Sequence, residues 1–129
     1  MRGGQSLAEA LESYLAEWSE RTGIAVETWA LPAADVPSQV TRAVMATMDE
    51  ALSNVELHSR ARTVSIAVTV SKSGLRMTVS DNGHGFSAAG AGSGIARMRA
   101  SFAELGGSLS VNSVLGEGTT VTGVVPKRG

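Results

Sequence analysis

The sequence predicts an α/β two-layer sandwich, α+β in the grouping of its elements, with about five strands and three helices. Three observations carry that prediction. Two neighbouring segments alternate apolar with polar residues: Val64, Ile66, Val68 and Val70, then Leu75, Met77 and Val79. Period-two alternation marks half-buried strands. Three other segments, near residues 6–20, 37–59 and 95–105, repeat apolar residues at helical spacing. Elements with one apolar side bury it against one another in layers. A chain of 129 residues suits one domain with a core of its own.

The first helix carries Leu7, Leu11, Tyr14, Leu15 and Trp18 on one stripe. Ser6 is placed to cap it, with Glu9 three residues later as in a capping box. Gly23 ends it, and Ile24 to Trp29 forms a short strand. Residues 31–36 connect to a second helix, which Asp35 and Pro37 open. That helix is predicted over 37–59. Val40, Val44, Met48, Ala51 and Val55 face the core, and Glu50, Asn54 and His58 fall together on a neighbouring face. A polar face of that kind beside a core face suggests a helix that walls a site.

Two strands follow at about 62–70 and 74–80, joined at Ser71-Lys72-Ser73-Gly74 as a hairpin. Next comes Asp81-Asn82-Gly83-His84-Gly85-Phe86, then Gly92-Ser93-Gly94-Ile95, the start of a helix carrying Ile95, Met98, Phe102 and Leu105. Five of the fifteen glycines fall between Gly83 and Gly94. Glycine lets backbone come close to a ligand, and a helix beginning at the end of the loop would present free N–H groups to anionic oxygens. Gly106-Gly107 breaks this helix. Leu109 and Val111 begin a strand, Gly116-Glu117-Gly118 turns, and Thr119 to Val125 is the last strand.

Composition excludes several classes. Hydrophobic residues make up 43%, an ordinary share for a globular domain. Eleven basic against twelve acidic residues leave a net charge of −1, which gives no footprint for nucleic acid or an anionic membrane. The chain has no cysteine, so disulfides, thiolate metal sites and thiol nucleophiles are absent. No apolar run approaches the roughly 18 residues of a membrane span. The start, Met1-Arg2-Gly3-Gly4-Gln5, lacks the apolar centre of a signal peptide. The expectation is one cytoplasmic domain over residues 1–129, with no nucleic-acid partner and no direct membrane contact.

Four motifs in order resemble one superfamily, the gyrase, chaperone, histidine-kinase and mismatch-repair ATPases (the GHKL, or Bergerat-fold, proteins). Glu50-Ala51-Leu52-Ser53-Asn54 resembles its helical asparagine box. Asp81-x-Gly83-x-Gly85 resembles its first glycine box, and Gly92-x-Gly94-Ile95 with Met98-Arg99 its second. Gly116-Glu117-Gly118-Thr119-Thr120 resembles the closing Gly-x-Gly-Thr of histidine kinases. The run from Gly94 to Gly107 is similar to the short-lid kinases related to nitrate and lipid-fluidity sensors. Each motif alone reads as a turn or a solvated helix face; the four in order, over roughly residues 5–126, carry the resemblance.

The resemblance implies a mixed, largely antiparallel sheet with three helices on one face, and ATP with Mg²⁺ as ligands. Asp81, at a strand end, would accept a hydrogen bond from the adenine amino group, with Gly83 and Gly85 turning tightly beside the base and Thr119 nearby. Asn54 would give Mg²⁺ an amide oxygen, the ligand type that ion prefers. Glu50, one turn earlier, would orient or deprotonate the attacking group as the catalytic residue. Amides near Gly92, Gly94, Ile95 and Ala96 would hold the β- and γ-phosphates. His58 has two readings, a nucleotide contact or a helix cap, and His84 reads as a solvated loop residue.

The sequence departs from these kinases where a lysine commonly precedes the His58 position. Leu57 stands there, so a phosphate contact is absent or comes from Arg60, Arg97 or Arg99. Neither histidine, His58 or His84, lies on a helix preceding the first strand, as a phosphoacceptor would. The implied function is the catalytic, ATP-binding domain of a two-component sensor histidine kinase, excised from a longer chain. It would donate the γ-phosphate to a histidine on a dimerisation domain, with a response regulator downstream; membrane anchoring of the parent is left open. The alternatives are a stand-alone anti-sigma-factor serine kinase, which a bound sigma factor would reveal, and a degenerate nucleotide-binding regulatory module, which Leu57 favours and intact Glu50, Asn54 and Asp81 oppose. Gyrase and mismatch-repair ATPases continue into transducer domains and carry longer lids.

Overall fold

The computed structural model describes residues 6–32, 36–59, 62–82, 88–114 and 118–126, and for 58–59, 88–94 and 114 only the course of the backbone. Helix α1 spans Leu7–Thr22. Its start is fixed locally: Ser6 Oγ accepts from the Glu9 amide at 3.2 Å, and Glu9 Oε1 accepts from the Ser6 amide at 3.0 Å. This capping box satisfies two otherwise unpaired donors and holds the Glu9 carboxyl below its ordinary range, the Ser6 backbone N–H being the main cause. The helix ends at Gly23, whose φ of 77° is left-handed backbone. Leu7, Leu11, Leu15 and Trp18 are buried, as the stripe predicts.

Strand β1 (Ala25–Ala30) follows, one residue later at each end than the sequence suggested. Helix α2 spans Ser38–Asn54, β2 Thr63–Ser71 and β3 Gly74–Asp81. Helix α3 spans Ala88–Ala103, β4 Ser108–Val114 and β5 Gly118–Pro126. The sheet has the order β1-β2-β3-β5-β4. β1 lies parallel to β2, and the other three pairings are antiparallel. The predicted mixed, largely antiparallel sheet of five strands is therefore present.

Alternation decides which face is covered. Val64, Ile66, Val68, Leu75, Met77, Val79, Val121 and Val125 are buried, and so are Val44, Met48, Leu52, Met98 and Phe102 from the helices. These belong to one core between the sheet and the helical layer. The opposite strand positions, including Ser65, Thr78, Ser80 and Thr120, are only partly buried. α3 comes close to β5 because position 123 is glycine: a Cβ there would lie 2.6 Å from the Phe102 ring.

Two polar ties join α1 to α2 and to the turn that continues it. Tyr14 Oη donates to Asp49 Oδ1 at 2.6 Å, and Arg21 pairs with Glu56 at 3.0 Å. Both pairs are 35 residues apart, so the two helices run in the same direction. Burial, then the bond to Asp49, pushes the Tyr14 phenol well above its ordinary value.

Two element predictions are corrected. The second helix does not stay α-helical to residue 59: after Asn54 it widens into a π-helical turn, Val55–Ser59. The third helix begins at Ala88 rather than near Ser93. Once Ile95, Met98 and Phe102 dock, extending the helix backward needs no new nucleus. Ala88, Ala89 and Ala91 are the strongest helix formers, which offsets the glycines at 90, 92 and 94.

Candidate functional site

The end of β3 places Asp81 on the covered face of the sheet, continuing the inward series Leu75, Met77 and Val79. Asp81 is 8% exposed, an unusual depth for a carboxylate. Its partner across the sheet is Thr119, 5% exposed, near the start of β5. The Thr119 and Ser113 hydroxyls lie 2.8 Å apart, so β4 fixes the rotamer of Thr119. Gly118, just before it, has a φ of 105°, and the Cβ of any other residue there would lie 2.2 Å from the Asp81 carbonyl oxygen.

The last turn of α2 brings Asn54 to the same place. Asn54, Asp81 and Thr119 line one small cavity together with Val79, Met98 and Val121. Its volume of about 10 Å³ is room for about one water and far too small for a purine ring. β3 is paired with β5 along its whole length, so room for a base has to come from the helical side, where Asn54 and Met98 line the cavity.

Glu50 lies one turn before Asn54, and Arg97 of α3 reaches it. Arg97 Nε donates to Glu50 Oε1 at 2.6 Å, with side-chain exposures of 62% and 26%. The hydrogen bond, then the carboxylate charge, pushes the Arg97 guanidinium above its ordinary value. Sequence reasoning named Arg97 only as a substitute phosphate contact; its pairing with Glu50 crosses 47 residues and leaves no local signal. The closeness of Ser113 to Thr119 depends on the register of β4 with β5, in which the two stand directly opposite.

The other expected residues divide. Ile95 is buried in the core and Ala96 is exposed. Gly92, Gly94, Ile95 and Ala96 lie in α3 beyond its first four residues, so their amides are engaged in the helix rather than free. For the expected phosphate cradle to form, those amides would have to leave the helix. Gly83 and Gly85, with His84, lie outside the described residues, as does the side chain of His58. Leu57, where a lysine is usual, is 71% exposed. Among the described residues no group of three or more His, Asp or Glu side chains could hold a metal by itself. Mg²⁺ bound mainly through phosphate and water needs only one or two protein oxygens, and Asn54, which lines the cavity, is the residue that would supply one.

Volume alone would point elsewhere. A groove of about 1000 Å³ lies at the other end of the sandwich, lined by Val36, Val40, Leu75, Leu105 and Val125 among others. It is largely apolar and contains none of the motif residues, so the chemistry favours the Asp81 end.

A profile described as "Histidine kinase-, DNA gyrase B-, and HSP90-like ATPase" matches residues 39–129. The chain belongs to that family. This ATPase domain is 33% identical over 126 residues to the sensor histidine kinase LiaS of Bacillus subtilis, covering 95% of this chain and 35% of that protein. It is 34% identical over 128 residues to the sensor histidine kinase MctS of Rhizobium johnstonii, covering 94% and 28%. The chain thus spans about a third of the length of the curated relatives it matches. The histidine kinase domain of the Erythrobacter litoralis EL346 blue-light activated histidine kinase superposes with a TM-score of 0.80 at 25% identity, covering 94% of this chain and 61% of that one. The ATP binding domain of PrrB from Mycobacterium tuberculosis shares the fold, with a TM-score of 0.70 at 19% identity over 97% of this chain and 96% of that one. The homology is to the ATPase domains of sensor histidine kinases, a family that implies ATP binding. No helix among the described residues is long and apolar enough to cross a membrane.

Proposed function

We propose that this chain is the catalytic domain of a two-component sensor histidine kinase, donating the ATP γ-phosphate to a histidine on a dimerisation domain beyond residues 1–129. From that histidine the phosphoryl group would pass to a response regulator. The reading rests on one observation above all: Asn54, Asp81 and Thr119 meet at one cavity, with Glu50 a turn away. That is the order of parts a bound nucleotide needs, from base to phosphate.

In this reading Asp81 accepts the adenine amino hydrogen and Thr119 flanks it. The buried setting strengthens such a charge-assisted bond and rejects bases that lack a donor there. Asn54 holds Mg²⁺ through its amide oxygen; the bound ion offsets charge on the phosphates. Glu50 orients the incoming imidazole and accepts its proton as a nitrogen attacks the γ-phosphorus, and ADP leaves with the bridging oxygen. Positioning and electrostatics dominate such a transfer, so the domain needs no covalent intermediate of its own.

Calorimetry with a non-hydrolysable ATP analogue tests the assignment. Asp81→Asn puts an amide, which carries donors as well as an acceptor, where a pure acceptor is needed. It should weaken binding by about 1.5–3 kcal/mol. Asn54→Ala should abolish the Mg²⁺ dependence of binding. Glu50→Gln should leave binding intact and slow transfer to a supplied dimerisation domain. Equal affinity of Asp81→Asn and wild type would remove Asp81 from the site. Weaker binding with normal transfer in Glu50→Gln would make Glu50 a nucleotide contact rather than the base.

A further inference from the structure

Among the described residues, Arg97 is the hydrogen-bond partner of Glu50. It uses Nε alone, on Oε1 alone. An ionised carboxylate has about four lone-pair positions on two oxygens, so this contact fixes the carboxylate plane and leaves Oε2 able to accept a proton. A glutamate has several rotatable bonds, and a base whose aim is free loses efficiency. Arg97 supplies the missing restraint from another element, α3, three residues after Gly94 and continuous with the glycine-bearing start of that helix.

Stability is a poor explanation for the pair. Arg97 is mostly exposed and Glu50 partly so, and ion pairs of that kind add little to folding. Removing Arg97 should therefore leave the domain folded, which makes its role measurable.

We propose that Arg97 is a positioning residue for phosphoryl transfer: it aims Glu50, and because it rides on α3 it makes the aim of the base depend on the winding of that helix. This rests on the reading of Glu50 as the base. Arg97 acts through Glu50 rather than on the nucleotide. The state of the helix that borders the phosphates is thereby passed to the residue that handles the proton, across a single hydrogen bond.

A double-mutant cycle decides it. Wild type, Arg97→Ala, Arg97→Lys, Glu50→Gln and Arg97→Ala/Glu50→Gln are compared as the whole 129-residue chain with a histidine-bearing dimerisation domain supplied. Turnover, KM for ATP, analogue affinity and melting temperature are measured. General-base catalysis is worth about 10²–10⁴-fold, and loss of aim alone should lower kcat in Arg97→Ala roughly tenfold. KM, analogue affinity and melting temperature should stay near wild type. Arg97→Lys should recover part of the rate. In the Glu50→Gln background Arg97→Ala should lower the rate no further, the mark of two residues acting as a unit. An equal loss of analogue affinity in both backgrounds would mean that Arg97 grips phosphate directly, which overturns the proposal. So would a kcat unchanged by Arg97→Ala while Glu50→Gln is slow, and that result leaves the base assignment standing. A Glu50→Gln variant as fast as wild type would defeat the base assignment, and this inference with it, while normal ATP binding would still uphold the nucleotide site.

Discussion

Gly118 opens β5 at a φ of 105°, with the Asp81 carbonyl so near that a Cβ would lie 2.2 Å from its oxygen. Neither condition suits a residue with a side chain. Gly118→Ala should lose about 1–3 kcal/mol from backbone strain alone, and relief of the clash must push the end of β3 away. Asp81 moves with it, so analogue binding should weaken along with stability. Urea unfolding and calorimetry on the same variant check both halves, and an unchanged unfolding midpoint would show that the close approach is not needed. Asp81, Asn54 and Thr119 were legible in the sequence because each stands at the end of a patterned element, where period and motif coincide. The close approach of Gly118 to Asp81 was not, because it depends on where two distant strand ends meet. Arg97 shows the same limit: an exposed arginine on a helix has no periodic signature, and its partner is chosen by how α2 and α3 pack.

Helix α3 is the element on which structure and sequence differ most. The sequence placed its start at the end of the glycine loop, near Ser93, where the helical spacing of Ile95, Met98, Phe102 and Leu105 begins. The structure winds through Gly90, Gly92 and Gly94. Each costs about 1 kcal/mol relative to alanine, so this end of the helix is held weakly and its amides can be released. Under the proposed function, phosphate oxygens would compete with helix carbonyls for the amides around Gly94, Ile95 and Ala96. Gly90→Ala and Gly92→Ala should together stabilise the wound form by about 1–2 kcal/mol. They should weaken the ATP analogue by a similar amount while leaving adenosine, which lacks phosphates, unaffected. Amide exchange over residues 88–96 should slow in the variant. If ATP and adenosine weakened equally, the glycines would serve the shape of the cavity rather than release of amides. The π-helical turn after Asn54 was illegible for a related reason. Val55 is a buried core residue that still fits the apolar stripe, and periodicity cannot register one wide turn at the end of a long helix.

At the scale of the whole molecule, the two layers were readable because β2 and β3 alternate cleanly and α1 and α2 carry continuous stripes. The parallel edge strand β1 was harder: four of its six residues are exposed, Trp29 by 75%, so its alternation is weak and its partner had to be found in three dimensions. The single core joining sheet and helices implies that the domain unfolds as one unit, as domains of this size usually do. A ligand that binds only the folded state then stabilises all of it. At a concentration 100 times its Kd, nucleotide should contribute about 2.7 kcal/mol. With an unfolding entropy of ~2.1 cal/mol/K per residue over 129 residues, that is about 0.27 kcal/mol/K, and the melting temperature should rise by roughly 10 °C. Asp81→Asn, at the same nucleotide concentration, should show a much smaller rise because its Kd is larger, and Arg97→Ala should show the full rise because its contact is with Glu50 and not with nucleotide. Differential scanning calorimetry with ATP analogue and Mg²⁺ measures all three. A single sharp transition that shifts in wild type and Arg97→Ala but barely in Asp81→Asn is the expected pattern. Two transitions, of which only one shifts, would mean that the Asp81 end is a separate cooperative unit, and the coupling of the α3 winding to the rest of the core would have to be abandoned.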